Sequence, residues 1–231
     1  MREIVLDTET TGLDPYQGDR LVEIGCVELV NGFRTNQHFH RYINPERDMP
    51  EGAFKVHGLS AEFLKGHPVF AEICDELLAF IADAPLVAHN AMFDLSFINA
   101  ELERCRRPSI ARERMVDTLM LARRKHPGGS NRLDDLCVRY GIDNSHRTTH
   151  GALVDAQILA EIYLELNGLR QATLGLIDER QSVARVLTGT SAIRVRSVPL
   201  APRVSEAERD AHQAFVATLG DKAIWNDYLG A

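Results

Sequence analysis

The sequence predicts an α/β domain with a mixed sheet, and three observations lead to this fold class. Strand-like apolar segments open the chain and are joined by turn signals, which is typical of an antiparallel start. From about residue 69 onward, segments with helical periodicity alternate with short apolar strands. With 45% hydrophobic residues among 231, the chain can bury a substantial core. We therefore expect one layered domain in which helices flank the sheet.

The first three strands are predicted from apolar runs and a hairpin signal. Residues 2–7 form a short apolar run, which the turn-rich segment GLDPYQGD follows. Residues 20–30 and 33–43 are strand-like, and Asn31-Gly32 between them is typical of a two-residue hairpin. These two strands should therefore pair in antiparallel orientation.

The rest of the first 170 residues is predicted to alternate helices with two short strands. Residues 69–84 carry apolar side chains at three- and four-residue spacing, which indicates an amphipathic helix. Residues 85–89 form a short buried strand, and residues 115–124 begin as a strand that continues into a helix. The other predicted elements are a short helix and turn at 51–60 and helices at 92–105, 132–141 with Gly141 at its end, and 151–168.

Composition excludes several classes of protein. The formal net charge is −7, so the chain as a whole is not a basic nucleic-acid binder, although an enzyme that holds phosphates through metal ions needs acids at its site. The four cysteines form no CxxC pair, which argues against a zinc site and favours a reducing compartment. Neither a signal peptide nor an apolar run of roughly 20 residues is evident. We therefore expect a cytoplasmic protein that does not enter a membrane.

Two carboxylates stand two residues apart at the end of the first predicted strand. Because side chains i and i+2 of a strand project to the same face, Asp7 and Glu9 should lie side by side. Adjacent carboxylates raise each other's pKa unless a positive charge lies between them, and a divalent cation such as Mg²⁺ supplies that charge. The alternative is a solvated strand end, and for this pair alone the residues leave the choice open.

Two later segments carry polar groups that could complete such a site. Asp94 lies in the first turn of a predicted helix and can reach the pair only if the strand at 85–89 neighbours the first strand; alternatively it complements the helix dipole. On one helix His150 and Asp155 would lie about 140° apart. They can converge only if His150 precedes the helix and Asp155 points inward from its second turn; otherwise they are polar surface residues.

Together, the segments DTET, HNAMFD and HGALVD resemble the DEDDh branch of the DEDD exonuclease superfamily. VHGLS at 56–60 is a further similar element, and the resemblance spans about residues 1–168. It implies a ribonuclease H-like fold with a mixed five-stranded sheet, and removal of nucleotides from 3′ ends with two divalent cations, Mg²⁺ or Mn²⁺. The implied metal ligands are Asp7, Glu9, Asp94 and Asp155, and the implied general base is His150.

The resemblance also implies a role for each acid and a set of substrate contacts. Asp7 would bridge both ions, Glu9 and Asp155 would hold the ion that binds the attacking water, and Asp94 would support the other ion. The implied substrate contacts are Thr10, His57, Asn90 and Phe93. His57 could instead be a structural residue of a turn, and Phe93 a core residue.

Basic side chains within residues 111–126 raise a further question about phosphate binding. They could contact the phosphates of a nucleic acid, or they could form an ordinary solvated face.

The residues after 170 change character and predict an extension. We expect an exonuclease domain at 1–170, a linker at 171–203 and a helical docking tail at 204–231. The segment RQATLGL at the start of the linker resembles peptides that bind the bacterial sliding clamp. The residues that carry this similarity are Gln171, Leu174 and Leu176.

The tail itself is predicted to contain a capped helix. Ser205 is its expected N-cap, Glu208 completes a capping box, and Gly220 marks its end. Trp225, the only tryptophan, suits an interface anchor. The tail resembles the polymerase-binding tail of the proofreading subunits of bacterial DNA polymerase III, which implies docking on the polymerase alpha subunit.

The sequence thus supports the hypothesis of a 3′→5′ DNA exonuclease that proofreads for a replicative polymerase. It would bind DNA 3′ ends and remove mispaired nucleotides by two-metal-ion hydrolysis. A stand-alone nuclease of the same branch, acting on RNA or short oligonucleotides, is an alternative that would not need the tail. A non-catalytic scaffold is another alternative, but it should have lost at least one of the four acids, and all four are present.

Overall fold

A mixed five-stranded sheet organises the larger part of the chain. The computed structural model describes residues 1–145, 150–168, 204–220 and Trp225. The sheet order is β3-β2-β1-β4-β5, in which β1 pairs antiparallel with β2 and parallel with β4. The predicted fold class is confirmed. The strands are β1 (Arg2–Thr10), β2 (Leu21–Val30), β3 (Phe33–Tyr42), β4 (Leu86–Ala88) and β5 (Met115–Asp117).

Helices cover both faces of this sheet. In the part of the chain described up to residue 168 they are α1 (Glu51–His57), α2 (Ala61–Leu64), α3 (Phe70–Ile81), α4 (Ala91–Arg104), α5 (Thr118–Lys125), α6 (Leu133–Tyr140) and α7 (Ala152–Leu166). Each predicted helix is thereby confirmed, with ends that shift by up to three residues. None of the described helices has the length and the hydropathy that crossing a membrane requires.

The alternation of side chains along β1 assigns its residues to two different cores. Ile4 and Leu6 pack in the cluster that α3 and α4 cover. Val5 packs in the cluster that α7 covers. Because successive side chains of a strand point to opposite faces, Asp7 and Glu9 continue the α7 face. Thr8, between them, continues the α4 face.

The hairpin and the end of β1 show how far sequence patterns determined the sheet. Asn31 and Gly32 adopt φ values of 53° and 77°, as a two-residue hairpin of the predicted kind requires. β1 is three residues longer than predicted, because Thr8 pairs with Ile24 and Thr10 with Leu21 of β2. The predicted strand ended with the apolar run, whereas the pairing of β1 with β2 continues through the polar residues 8–10.

A buried ion pair ties the start of β2 to α4, the helix that carries Asp94. Arg20 donates from Nε and Nη2 to the two carboxylate oxygens of Glu101, at 2.6 and 3.0 Å. Glu101 is 1% exposed, so this bidentate pair is largely removed from water. It helps to fix α4 against the sheet.

Residues 204–220 and Trp225 belong to a second unit of the chain. Its described helix, α8 (Glu206–Thr218), begins with the predicted capping box, in which the Glu208 backbone N–H donates to Ser205 Oγ and the Ser205 backbone N–H donates to Glu208 Oε2. The Trp225 ring meets the His212 ring edge-on, with centroids 5.5 Å apart. The predicted domain boundary at 170 and the clamp-binding residues Gln171, Leu174 and Leu176 lie outside the described residues.

Candidate active site

The end of β1 presents a carboxylate pair to the amino end of α7. Asp7 stands opposite Gly25 of β2 in the antiparallel register, and Glu9 stands opposite Glu23. Burial is the main cause that raises the Asp7 pKa well above its usual value, and the charge of Asp94 is the next. A solvated strand end would leave this pKa near its ordinary value. The raised pKa therefore favours a cation-binding pair over a solvated strand end.

A glycine allows α7 to approach the sheet at this point. A Cβ atom on Gly25 would lie 2.3 Å from the backbone nitrogen of Leu153 and 2.4 Å from its Cα. These atoms belong to the first turn of α7, so no side-chain rotation would relieve such a contact. Because Gly25 has no side chain, the start of α7 can lie directly over this strand position, which is opposite Asp7 in the register.

The start of α7 carries the predicted histidine and the fourth acid. His150 precedes the helix and Gly151 is its N-cap, while Asp155 lies in the first turn rather than in the predicted second turn. His150 Nδ1 is 3.3 Å from Asp155 Oδ2. The expected convergence is confirmed, because His150 lies outside the helix.

Glu9 completes a three-residue group with this pair. Ligand atoms of Glu9, His150 and Asp155 all lie within 4.8 Å of one another. Asp155 is 3% exposed, whereas the His150 side chain is 47% exposed. The group therefore combines a buried acid with an imidazole that water can reach.

Asp94 reaches the same place from the opposite face of the sheet. It lies in the first turn of α4, directly after β4, and β4 is the parallel neighbour of β1, as the hypothesis required. The Thr8 hydroxyl donates to Asp94 Oδ1 at 2.8 Å. Burial raises the pKa of Asp94 to about 7, although its hydrogen bond from Thr8 acts in the other direction. The helix-dipole role alone does not account for the burial of this acid.

The electrostatics of the acids fit divalent cations. Beyond burial, every charge that shifts the Asp7 pKa comes from another acid: Asp94, Glu9, Asp155 and Glu23. Clustered carboxylates with desolvated members are stabilised by a bound cation, and oxygen donors of this kind are those that Mg²⁺ prefers. The donor set therefore fits the divalent ions that the resemblance implied.

Three of the four predicted substrate-contacting residues line one pocket beside Glu9. This pocket has a volume of about 480 Å³ and includes Thr10, His57 and Phe93. The Thr10 hydroxyl donates to the Gly12 carbonyl at 2.6 Å, so its side chain is engaged within the loop. Phe93 also packs on Phe97, with ring centroids 5.0 Å apart. Phe93 therefore packs against the core and also lines the pocket.

His57 has the structural role considered for it in the turn, and it also lines the pocket. Its Nδ1 accepts a hydrogen bond from the Leu59 backbone N–H at 3.0 Å, which stabilises the turn after α1. The hydrogen of the neutral ring is therefore on Nε2, and this buried atom has no hydrogen-bond partner in the described part of the chain. Burial lowers the pKa of His57, which favours that neutral ring.

The structure separates Asn90 from the other three predicted contacts. Asn90 is exposed and lines a different pocket, of about 700 Å³, with residues of α5 and of the loop before α6. Its φ of 65° is left-handed, and its backbone N–H donates to Asp117 Oδ1 at 3.2 Å. Asn90 therefore stands at the amino end of α4 between the acids and this second pocket.

Sequence reasoning missed three contributors to the site. Gly25 interrupts an apolar strand, and such a glycine is a recognised signal of close backbone approach. Glu23 is an acid in the same strand, 3% exposed, and its Oε1 lies 2.7 Å from His40 Nε2. Its position two residues from Gly25 could have indicated the same face as Asp7. Thr8 carried no comparable signal, because its partner is 86 residues away.

Comparison with known proteins places this arrangement in a family. A sequence model of the RNase_T family, described as exonuclease, matches residues 4–163. The DNA polymerase III subunit epsilon of Rickettsia prowazekii is 48% identical over 222 residues, which cover 94% of this chain and 96% of the relative. The protein of that name from Escherichia coli K12 is 41% identical over 241 residues, or 97% of each chain. The chain belongs to the exonuclease family of the DNA polymerase III epsilon subunits.

Solved structures of other exonucleases share the fold of this chain. A structure of exonuclease X in complex with 5′ overhanging duplex DNA has a TM-score of 0.55 and 24% identity, and the match covers 74% of this chain and 93% of that one. An exonuclease I complex with single-stranded DNA has a TM-score of 0.62 and 18% identity, covering 74% and 41% of the two chains. The predicted family and enzyme class are thus confirmed: the chain is an exonuclease.

We predict that Gly25→Ala displaces α7 and impairs the site. The added methyl group would meet backbone atoms of Leu153, so overpacking should destabilise the fold by roughly 1–3 kcal/mol. Because α7 carries Asp155, nuclease activity at a temperature where the variant stays folded should fall more than tenfold. Gly66→Ala is the matched control, since its Cβ would meet only one atom, the Phe63 carbonyl oxygen, at 4.0 Å. Equal activities of the two variants would contradict this account of Gly25.

We also predict that the metal-free protein loses stability as pH rises from about 4 to about 7. The pKa of Asp94 is about 7 in the folded protein, against about 3.9 for an unfolded aspartate, so the folded state binds more protons in this range. Urea denaturation in EDTA at pH 5, 6 and 8 measures the decrease.

The variant Asp94→Asn tests the source of this dependence. It removes the titrating group, so its stability should change less between pH 5 and pH 8. Added Mg²⁺ should stabilise the natural protein at pH 8 more than it stabilises the variant. A variant with the full pH dependence would show that Asp94 is not the source.

Proposed function

We propose that this chain is a 3′→5′ DNA exonuclease that proofreads for bacterial DNA polymerase III. One observation carries the proposal. Four acids from β1, α4 and α7 converge with His150 at one end of β1, next to a pocket of about 480 Å³. That volume suits a single nucleotide-sized ligand. The names of the relatives, DNA polymerase III subunit epsilon, support the replicative setting.

The acids have separable tasks in this proposal. The charges of Asp94, Glu9 and Asp155 all raise the pKa of Asp7, which indicates that Asp7 lies near each of them. Asp7 would therefore be the residue that contacts both ions. Glu9 and Asp155 would hold the ion nearer His150, and Asp94 would support the other. Two divalent cations, Mg²⁺ or Mn²⁺, would activate a water and stabilise the departing 3′ oxygen when bound.

His150 is proposed as the general base that takes the proton from the attacking water. With a hydrogen on Nδ1 directed at Asp155 Oδ2, 3.3 Å away, the ring has its lone pair on Nε2. The exposure of the ring allows the proton to pass to solvent. Asp155 would thus orient the base while it binds metal through its carboxylate.

The pocket beside Glu9 is proposed to hold the 3′-terminal nucleoside. Phe93 offers a ring for contact with the base, and His57 lines the same pocket. A mispaired end should enter more readily than a paired one, because less free energy is needed to unpair it. This difference would provide proofreading selectivity.

The C-terminal region is proposed to attach the nuclease to the replication machinery in the cytoplasm. On the second unit, Phe215, Leu219 and Trp225 are 61%, 50% and 50% exposed, and such apolar side chains suit a docking surface for the polymerase alpha subunit. Gln171, Leu174 and Leu176 are proposed to bind the sliding clamp, on the strength of their sequence pattern.

We predict that Asp7→Asn abolishes metal-dependent digestion and leaves the fold intact. Loss of the central ligand should lower the rate at least about 100-fold, the upper effect seen for groups that merely support a ligand. The assay uses 5′-labelled DNA primers with matched or mismatched 3′ ends, beside an RNA oligomer, with Mg²⁺ or Mn²⁺. Asp48→Asn, an exposed loop acid, is the matched control.

Each outcome of that assay has a distinct meaning. Faster removal of mismatched than matched ends, with little digestion of RNA, is the result that the proposal expects. Preferential digestion of RNA would instead support the stand-alone nuclease. Persistent digestion by Asp7→Asn would refute the metal assignment.

We predict that two substitutions separate the two partner contacts. Trp225→Ala should weaken binding to the polymerase alpha subunit at least about 10-fold, because truncation of a buried interface tryptophan commonly costs 2 kcal/mol or more. Leu174→Ala should weaken binding to the sliding clamp and leave alpha binding unchanged. Surface plasmon resonance with immobilised partners measures both, and Tyr16→Ala is the control for an exposed aromatic residue elsewhere. Unchanged binding of both variants would contradict the proposed surfaces.

A further inference from the structure

A second pocket adjoins the acidic site and has the opposite charge. It has a volume of about 700 Å³ and lies between α5, the loop before α6 and the end of β4. Its lining includes Arg123, His126 and Arg132, and it begins at His89 and Asn90. Asn90 is the residue that directly precedes α4, the helix that carries Asp94. The pocket therefore starts where the acidic site ends.

Within the described part of the chain, the guanidinium groups of this pocket's two arginines are not engaged by other side chains. Neither the Arg123 nor the Arg132 side chain makes a hydrogen bond or an ion pair there, and both residues are exposed. Some other guanidinium groups of the same unit are paired with acids, such as Arg20 with Glu101 and Arg107 with Asp75. The pocket thus keeps two cationic donor groups available.

The acids nearest in sequence do not neutralise this pocket. Asp135, in the first turn of α6, accepts a hydrogen bond from Ser130 Oγ. Asp134 accepts one from Asn144 Nδ2 at 3.3 Å. Neither carboxylate lines the pocket. The cationic character of Arg123 and Arg132 is therefore retained.

The loop that forms one wall is held in place by its own hydrogen bonds. Asn131, which is buried, donates from Nδ2 to the Gly129 carbonyl at 2.9 Å. Arg139 donates to Asn131 Oδ1 at 3.2 Å and to the Ser130 carbonyl at 3.0 Å. Gly128 adopts a φ of 79°, which a larger residue would rarely adopt. The loop that carries Arg132 is thus held in place, while Arg123 lies on α5.

This pocket lies at the carboxyl ends of the parallel strands of the sheet. β4 and β5 are parallel, with Ala88 opposite Asp117, and the residues that follow both strands meet at the same edge. Ligands of α/β proteins bind at this edge of parallel strands. The acids at the end of β1 share it, because β4 is also parallel to β1. A polymer held at the acids can therefore continue across Asn90 into the pocket.

We propose that this pocket, which we call the Arg123–Arg132 pocket, binds the phosphodiester backbone of the DNA strand upstream of the nucleotide being removed. The inference rests on the proposed exonuclease function and extends it. Guanidinium groups bind phosphate oxygens through two parallel hydrogen bonds. The acids would hold the scissile phosphate through cations, and the arginines would hold later phosphates directly. The pocket therefore governs affinity for a polynucleotide and leaves the chemistry at the acids unchanged.

The test compares a polymeric substrate with one that is too short to reach the pocket. The double variant Arg123→Ala/Arg132→Ala, in the full chain, is assayed on a single-stranded DNA oligomer and on the p-nitrophenyl ester of thymidine 5′-monophosphate. For the oligomer we expect KM to rise about tenfold at low salt. The slope of log(1/KM) against log salt should become shallower by roughly 1.4, or about 0.7 for each lost phosphate contact. For the ester we expect unchanged kcat and KM.

Two further variants separate specific contacts from general charge. Arg112→Ala/Arg106→Ala removes the same charge from residues outside the pocket, and should leave KM for the oligomer within about twofold of the natural value. Arg123→Lys/Arg132→Lys keeps the charge without the fork geometry and should recover part of the affinity.

The outcomes distinguish this inference from the proposed function. Equal loss on the oligomer and the ester would overturn the pocket proposal, because it would show an effect on the acidic site. An unchanged oligomer KM, or the same increase in the control variant, would also overturn it. If the natural protein hydrolyses neither substrate in Mg²⁺ or Mn²⁺, the exonuclease proposal itself fails.

Discussion

Mutual repulsion among carboxylates is the constraint on which this structure depends. Asp7 is surrounded by other acids and is removed from much of the water that would screen them, so its pKa is raised. Such a cluster destabilises a metal-free protein at neutral pH. The surrounding fold must therefore hold the acids against repulsion. Two contacts help to hold the acids together. Thr8 donates a hydrogen bond to Asp94, and α7 packs closely on Gly25.

The two faces of the sheet contribute different parts of the site. The α7 face provides Asp7, Glu9 and Asp155 together with His150, and the α4 face provides Asp94. The acids meet because β1 lies at the centre of the sheet, with β2 on one side and β4 on the other. A displacement of either helix layer would separate Asp94 from the rest. This explains why the core on both faces is directly relevant to the chemistry.

Acidic and basic side chains are concentrated in different places in this protein, whose net charge is −7. The acids are concentrated at the end of β1, where cations can neutralise them, while exposed arginines line the neighbouring Arg123–Arg132 pocket. A nucleic-acid enzyme can therefore be acidic overall, because the basic surface need only follow the path of the strand. The net charge alone does not show this arrangement.

The sequence by itself determined the order of elements, the hairpin at Asn31-Gly32, and the pairing of Asp7 with Glu9 on one face. Each of these depends on neighbours within a few residues, through side-chain alternation or turn geometry. Only the tertiary structure decided the surroundings of Asp94, His57 and Asn90, and that α7 meets the sheet at Gly25. Those outcomes depend on contacts between residues far apart in the chain, such as Thr8 with Asp94 across 86 positions. Local periodicity contains no information on them, because the packing of whole layers sets which distant residues meet.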